Sequence, residues 1–220
     1  MAAPEKVVKF GIYHEDSTLD PRLLLLPNLR TLFLSGERLT YLAPVFSQLT
    51  PTLSYISISD ANIRSIPDSE CVLRNLKDFY IDNCPLTAIP DGIDGFVSLL
   101  VLSIRETNVS TVPNTIGSLA SLEILVLSDN HIQLLPESIC LLKNLEDLHL
   151  DNNDLDSLPE SITDLESLIF LHLSGNALKA MPANLEKLTR LRSLYLSGNP
   201  LPEAEKQRIR EKLPWVYIKF

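Results

Sequence analysis

Two histidines, His149 and His172, are the residues whose type and spacing most strongly suggest chemistry. They lie 23 positions apart; Asp147 precedes the first by two residues and Asp151 follows it by two. Imidazole and carboxylate groups bind transition metals, and histidine also titrates near neutral pH. Two histidines do not fill a closed zinc site, which needs four ligands, so an aspartate would have to complete the set. The sequence therefore favours two solvated histidines with no metal ion and no cofactor, and it leaves a pH-sensitive surface as the alternative.

The rest of the chain has no residue spacing typical of an enzyme. The segment Asp151-Asn-Asn-Asp-Leu-Asp resembles a calcium-binding loop, but it lacks the central glycine and the downstream glutamate of such loops. The seven glycines are too scattered to form a phosphate-binding loop. No nucleophile is spaced with a base and an orienting group. We therefore expect a non-enzymatic protein without catalytic residues.

Charge and cysteine usage bear on the partners and the location of the chain. The net charge of −9 repels the phosphate backbone of nucleic acids and anionic lipid headgroups. The longest apolar run, residues 23–27, is too short to span a membrane, so no membrane insertion is expected. The N-terminus lacks an apolar signal core, and the cysteines are Cys71, Cys84 and Cys140, an odd number without a terminal cluster. This pattern favours the cytoplasm, or export without a cleavable signal peptide.

A repeated pattern of leucines positions these residues. Residues 145–159 follow Leu-x-x-Leu-x-Leu-x-x-Asn-x-Leu-x-x-Leu-Pro. The Leu-x-Leu core predicts a short strand with both leucines pointing inward, and apolar residues at every third position after the proline predict a 3₁₀ or short α turn. Such a period is typical of a solenoid of stacked parallel strands. Eight copies, 24 residues apart at the first step and 23 at the others, begin at Leu29, Leu53, Leu76, Leu99, Leu122, Leu145, Leu168 and Leu191.

The repeat divides one continuous domain into three parts. We predict an N-terminal cap at residues 1–28, eight repeats at residues 29–201, and a C-terminal capping helix with an edge strand at residues 202–220. Trp215 and Tyr217 should face away from the core at that last strand. Because its outer edge has no neighbour, a monomer or weak self-association through this edge is expected.

The asparagine of the pattern has a structural role. At this position the chain bends inward off the strand, and its buried backbone groups need side-chain partners. A ladder of amides can supply them, and threonine or cysteine can substitute, whereas Ala61 cannot form a side-chain hydrogen bond. The N-terminal third, which has Glu37 and Ala61 at this position, is therefore predicted to be less regular and more mobile. The predicted ladder consists of Cys84, Thr107, Asn130, Asn153, Asn176 and Asn199.

The repeats resemble the 23-residue, Leu-Pro-containing class of intracellular leucine-rich repeat proteins, which includes the Ras-interacting scaffold group and many bacterial members. The resemblance covers residues 29–220. The ending, Asn199-Pro200-Leu201 followed by a charged helix and a Leu-Pro-x-Val-x-Ile-x-Phe strand, is most similar to bacterial members. The resemblance implies an α/β fold, a right-handed horseshoe solenoid with a concave parallel β-sheet and short 3₁₀ or α turns on the convex side. It also implies a protein partner on the concave face, for a scaffold or a bacterial effector that interacts with a host.

The outward-facing residues of the predicted strands form the candidate binding site. Val101, Ile124 and Val126 would make an apolar patch, and an aromatic strip with neighbouring aspartates would continue it. These features favour a partner segment with apolar anchors and a basic rim. The alternatives are a glycan or small-ligand receptor that uses the same face, and a sheet face that merely carries β-forming residues. The predicted partner-binding residues are Phe33, Tyr55, Tyr80, Val101, Arg105, Ile124, Val126, Asp147, His149, Asp151, Phe170, His172 and Tyr195.

Overall fold

Short strands and return turns alternate along the chain with the period of the leucine pattern. The computed structural model describes residues 8–9, 17–26, 28–42, 48, 52–67 and 73–220. Cys71 and much of the predicted N-terminal cap therefore lie outside the described residues. The strands are β1 (Val8–Lys9), β2 (Thr31–Gly36), β3 (Tyr55–Ala61), β4 (Asp78–Asp82), β5 (Val101–Arg105), β6 (Ile124–Val126), β7 (Asp147–His149), β8 (Phe170–His172), β9 (Ser193–Tyr195) and β10 (Tyr217–Lys219).

These ten strands pair in parallel, in chain order, within one sheet. Each residue pairs with its equivalent in the next repeat, so that Leu148 lies beside Leu171 and Leu171 beside Leu194. The register shifts after Ser35 of β2, in the N-terminal part of the sheet. The sheet confirms the predicted α/β solenoid, with a concave face of parallel strands.

Two inward-facing residues from each of the eight repeats form the centre of the core. Each of them is at most 1% exposed. Phe79 occupies a position that leucine takes in most repeats, and its ring meets that of Phe96 edge-on at 5.6 Å between centroids. The eight predicted pairs are Leu32/Leu34, Ile56/Ile58, Phe79/Ile81, Leu102/Ile104, Leu125/Leu127, Leu148/Leu150, Leu171/Leu173 and Leu194/Leu196.

Short 3₁₀ turns return the chain along the convex side. A proline precedes four of the turns, with φ between −61° and −72°, and its ring fixes the backbone where the turn begins. After Pro182 the turn is shorter and begins at Leu185. In the described part of the chain the turns are Pro21–Leu25, Asp91–Gly95, Asn114–Ser118, Glu137–Leu141, Glu160–Asp164 and Leu185–Lys187.

Helix α1 (Glu203–Lys212) covers the last repeat. The Glu205 carboxylate accepts the backbone N–H of Met181 at 2.8 Å and pairs with Arg208 at 2.7 Å. Arg208 also donates to the Met181 carbonyl at 2.7 Å. Ile209 and Leu213 are buried, and β10 then pairs with β9. Within the described ranges no helix has both the length and the hydrophobicity needed to cross a bilayer.

The asparagine ladder connects neighbouring repeats through buried hydrogen bonds. Asn153 Nδ2 donates to the carbonyls of Leu127 at 2.9 Å and Leu150 at 3.1 Å, and its Oδ1 accepts the N–H of Ile132 at 3.0 Å. The Thr107 hydroxyl continues the ladder by donating to the amide oxygen of the asparagine in the following repeat. The same three bonds are formed by Asn130, Asn176 and Asn199.

Earlier repeats fill the ladder position in other ways. Cys84 is buried, and its thiol faces backbone groups of Ala61 and Ile63 in the preceding repeat. Burial, the largest influence, raises the pKa of this thiol, so it is protonated and unreactive near neutral pH. Ala61 remains within β3, where its backbone pairs with Gly36. The strand therefore continues through this ladder position, where alanine has no side-chain donor, while Glu37 is exposed.

The residue immediately before each ladder position has positive φ, a feature that we did not predict. Most of these residues are glycine, asparagine or aspartate, which tolerate this conformation best; Glu106, with φ of 50°, is the exception. Asn152 Nδ2 donates to Asp129 Oδ1 at 2.8 Å, which adds an outer row of side-chain bonds between repeats. The residues are Gly36, Asp60, Asn83, Glu106, Asp129, Asn152, Gly175 and Gly198.

Candidate binding site on the concave face

The strand register determines which outward-facing side chains meet on the concave face. Val126 lies beside Ser103 on one strand and beside His149 on the other. His172 lies between His149 and Tyr195. Equivalent positions are one strand spacing apart, about 4.8 Å, so their side chains form columns across the sheet. Residues far apart in the sequence thereby become neighbours on one surface.

Aromatic rings form an N-terminal run of Phe33, Tyr55 and Tyr80. Ring centroids are 5.3 Å apart for the first pair and 5.4 Å for the second. The sequence predicted these three residues as separate contact positions and gave no sign that their rings meet. Phe33 and Tyr55 stand at different positions of the repeat, so only side-chain conformation brings their rings together.

A C-terminal run consists of His149, His172 and Tyr195. The histidine rings stack at 4.0 Å, and His172 stacks on Tyr195 at 4.4 Å, each with an interplanar angle of 16°. Phe170, which we predicted as part of this strip, pairs instead in the neighbouring column with Asp147. It is 40% exposed and available for contact, but it is not part of the stack.

A groove of about 770 Å³ lies between the two runs. Tyr80 of β4 and His149 of β7 both line it, together with four serines. Arg105 is the one guanidinium among the described lining residues, and it lies 3.5 Å from the Glu106 carboxylate. The acidic lining residues are Asp82, Asp129 and Asp151. The groove is therefore acidic, and a ligand with basic groups complements it.

The predicted apolar patch is half-buried. Val101 and Ile124 pair across β5 and β6, and Val126 stands in the next column and lines the groove. All three side chains are of intermediate exposure. The patch thus offers an apolar surface beside the acidic groove. Its accessible area is smaller than that of a patch with fully exposed side chains.

Two aspartates lie close to the histidine pair. Asp147 Oδ1 is 2.9 Å from His149 Nε2, and Asp151 Oδ2 is 3.8 Å from His172 Nδ1. Burial, the largest effect, and the neighbouring His149 lower the pKa of His172, against the opposing influence of the two aspartates. His172 is therefore neutral near pH 7, which is consistent with the stacking of the two rings.

The lowered pKa of His172 predicts a stability loss in mild acid. Unfolded histidine has a pKa of about 6.5, so as the pH falls below that value the unfolded chain takes up the proton before the folded chain does. Stability should decrease from about pH 6.5 until the lowered folded pKa is passed. We expect His172→Gln to reduce the drop in melting temperature between about pH 7.5 and about pH 5, measured by circular dichroism with a chelator present.

His131→Gln provides the control, because His131 is exposed and lies outside the histidine pair. This variant should keep the wild-type drop in melting temperature. An equal drop in melting temperature for the His172 variant and the wild type would show that burial of this imidazole does not contribute to the loss of stability in acid.

Two exposed aromatic side chains lie in and just before β10. Trp215 is 44% exposed and Tyr217 is 61% exposed. The Tyr217 ring meets Tyr195 edge-on at 6.1 Å, so Tyr217 extends the C-terminal run by one strand. Weak self-association through the edge stays a prediction.

A family model described as a leucine-rich repeat region matches residues 96–213. The chain belongs to the leucine-rich repeat family. The match covers more than half of the chain and includes the ladder asparagines and the C-terminal run. A search of curated protein sequences finds no significant match.

Solved leucine-rich repeat structures share the fold. A leucine-rich repeat protein of Leptospira interrogans is 35% identical with a TM-score of 0.87, over 92% of this chain and 52% of that protein. TLR13 in complex with ssRNA13 is 26% identical with a TM-score of 0.75, over 88% of this chain and 28% of TLR13. The ectodomain of the Arabidopsis thaliana receptor kinase GASSHO1/SCHENGEN3, in complex with Casparian strip integrity factor 2, is 23% identical with a TM-score of 0.61, over 84% and 26%.

The Leptospira protein bears out the bacterial character that the chain's ending indicated. This chain spans about half the length of that protein, and about a quarter of the other two. The shared part is thus the repeat solenoid.

Proposed function

We propose that this leucine-rich repeat domain is a non-enzymatic module that binds an extended segment of a partner protein on its concave face. One observation carries the proposal: an acidic groove lies between two runs of aromatic rings. Aromatic side chains are favoured anchors of protein interfaces, and burial at the centre of a contact gives them most of their binding energy.

The charges of the face define the chemistry of the partner. Asp82, Asp129 and Asp151 line the groove, and Arg105 lies beside Glu106. A segment with lysine or arginine side chains over the groove, and apolar side chains against the patch and the rings, complements this surface. The net charge of −9 adds long-range attraction for such a segment.

Two other ligand classes are compatible with a curved aromatic face. The TLR13 structure contains ssRNA, but the acidic groove and the net charge of this chain oppose a phosphate backbone. A glycan can stack on aromatic rings without needing charge, and it remains the second candidate because Tyr195 and Tyr80 each present a ring on the concave face.

The double substitution Val126→Lys with Tyr195→Ala tests the proposal. It places a positive charge in the acidic groove, where it repels a basic partner segment, and removes the last ring of the C-terminal stack. Because truncating a single anchor can cost about 2 kcal/mol or more, partner affinity should fall by at least about 30-fold. The measurement is affinity capture from a lysate with wild type and variant, followed by titration of each protein that wild type alone retains.

A matched control is Leu134→Lys with Tyr41→Ala, which makes equivalent changes at exposed positions away from the concave strands. This control should retain every captured protein. Equal capture by wild type and the concave-face variant would contradict the proposal. Retention on a glycan array, lost in the same variant, would favour the glycan receptor.

The cellular role depends on the partner. A scaffold in the cytoplasm would retain a protein of its own cell, whereas a bacterial effector would retain a host protein. Capture from bacterial and host lysates in parallel distinguishes these two roles, and sedimentation of the isolated chain tests the weak self-association.

A further inference from the structure

Three potential metal ligands converge on the concave face. One donor atom each from Asp147, His149 and His172 lies within 4.8 Å of the others. Asp147 and His149 are the first and last residues of β7, and His172 ends β8. The strand register makes the two histidines direct neighbours. All three side chains are partly buried, so the cluster lies within the face and is not on a mobile tip.

One oxygen of the Asp147 carboxylate lacks a hydrogen-bond donor among the described residues. This Oδ1 atom is buried, and within the described part of the chain it accepts no hydrogen bond, although His149 Nε2 is only 2.9 Å away. A buried carboxylate oxygen without a partner is costly. Bonds of about 2.0–2.1 Å to a tetrahedral ion place neighbouring donor atoms about 3.3 Å apart. Asp147 Oδ1 and His149 Nε2 are 2.9 Å apart, and all three donor atoms lie within 4.8 Å of one another, so the side chains have to draw together slightly around an ion.

Asp151 is placed to orient one of the ligands. Its Oδ2 is 3.8 Å from His172 Nδ1, and its Oδ1 accepts the N–H of Ser174 at 2.8 Å. A carboxylate bonded to one ring nitrogen of a histidine is the usual outer partner of a metal-bound imidazole, whose other nitrogen binds the ion. At 3.8 Å Asp151 is beyond hydrogen-bond distance of His172, so a small rotation of the ring is needed for it to act in this way. This leaves Nε2 of His172 for a metal.

We propose that His149 Nε2, His172 Nε2 and Asp147 Oδ1 bind one divalent transition-metal ion of the zinc class. The remaining coordination positions face the groove and are open to water or to a donor atom of a ligand. Two imidazoles and one carboxylate favour zinc, copper, nickel or cobalt over calcium and magnesium, which prefer all-oxygen sites. The stacked rings have to rotate modestly for their nitrogens to converge. This site goes beyond the proposed protein binding and does not depend on it.

Direct titration of the untagged chain with Zn²⁺ tests the site. Calorimetry should show one equivalent bound at micromolar concentration, with release of protons as the pH is lowered. Co²⁺, used as a coloured substitute, should give visible absorption bands typical of nitrogen and oxygen ligation. No partner protein is needed, so failure of the metal site and failure of protein binding are separate outcomes.

Single substitutions assign the ligands. His149→Gln and His172→Gln should each weaken Zn²⁺ binding by at least about 10-fold, because even outer-shell partners contribute 10- to 100-fold. Asp151→Asn should weaken it by about 10-fold or more through the orientation of His172. His131→Gln should bind as wild type does, since His131 pairs at 3.5 Å with Asp154 and lies outside the cluster.

Two results would overturn the proposal. One is the absence of Zn²⁺ binding to wild type at micromolar concentration; the other is unchanged affinity in both histidine variants. Circular dichroism checks that each variant is folded. If a variant is unfolded, the nuclear magnetic resonance signals of the histidine rings in the wild type identify the ligands. Zn²⁺ should shift the signals of His149 and His172 and leave those of His131 in place.

Discussion

Replacing Asn153 by alanine is expected to lower the free energy of unfolding by about 3 kcal/mol. The amide donates to the carbonyls of Leu127 and Leu150 and accepts the N–H of Ile132, all of them buried. Alanine removes these bonds, each with a net contribution of about 1 kcal/mol, and leaves the Ile132 N–H without its side-chain acceptor. Chemical unfolding followed by circular dichroism measures the change.

Asn144→Ala is the control for this prediction. The Asn144 amide also donates to a backbone carbonyl of the preceding repeat, that of Ala120 at 2.8 Å, but this bond is exposed. Water can replace it, so the loss should stay below about 1 kcal/mol. Equal losses for the two asparagines would show that burial of the ladder adds nothing to its energy.

Phe79→Ala should be the most destabilising core substitution, at about 3–5 kcal/mol. Phe79 is fully buried and meets Phe96 edge-on, so truncation leaves a large cavity that the stacked strands cannot close. In a solenoid each repeat contacts mainly its neighbours, so unfolding should begin in the repeats around β4. Hydrogen exchange can locate that early opening.

Phe79→Leu separates volume from ring contact. Leu102 and Leu125 stand at the position equivalent to Phe79 in the next two repeats, so the backbone accommodates leucine there. We expect a loss of at most about 1.5 kcal/mol. A loss as large as that of alanine would mean that the edge-on contact with Phe96, and not the filled volume, holds this repeat together.

The strands and the core could be predicted because the period of the leucines determines which side chains face inward. The ladder was predictable for the same reason: Asn130 and Asn153 stand at one position of the repeat, where buried backbone needs partners. The positive φ at Glu106 could not be predicted from this residue, since glutamate carries no preference for it. Glycine, asparagine and aspartate at the equivalent positions were the signal that was available.

The candidate site was less predictable than the fold. The columns of outward residues follow from the register, but side-chain conformation decides which neighbours touch. It turns Tyr55 towards Phe33 and Tyr80, and it places Asp147 Oδ1 beside His149 Nε2. The sequence favoured solvated histidines because it showed only two clear ligands. Conformation brings the third donor atom within reach.

The ladder has a consequence for how such a chain can change in evolution. Asn153 bonds to Leu150 of its own repeat and to Leu127 and Ile132 of the preceding repeat, so its bonds reach no further than the adjoining repeat. A tandem duplication of one 23-residue unit would therefore supply its own bonds and lengthen the molecule. Inserted between His149 and His172, the same duplication would separate the two rings by a further strand spacing of about 4.8 Å. A duplication elsewhere in the solenoid would thus change only its length. A duplication between His149 and His172 would also change the ligand that the concave face can bind.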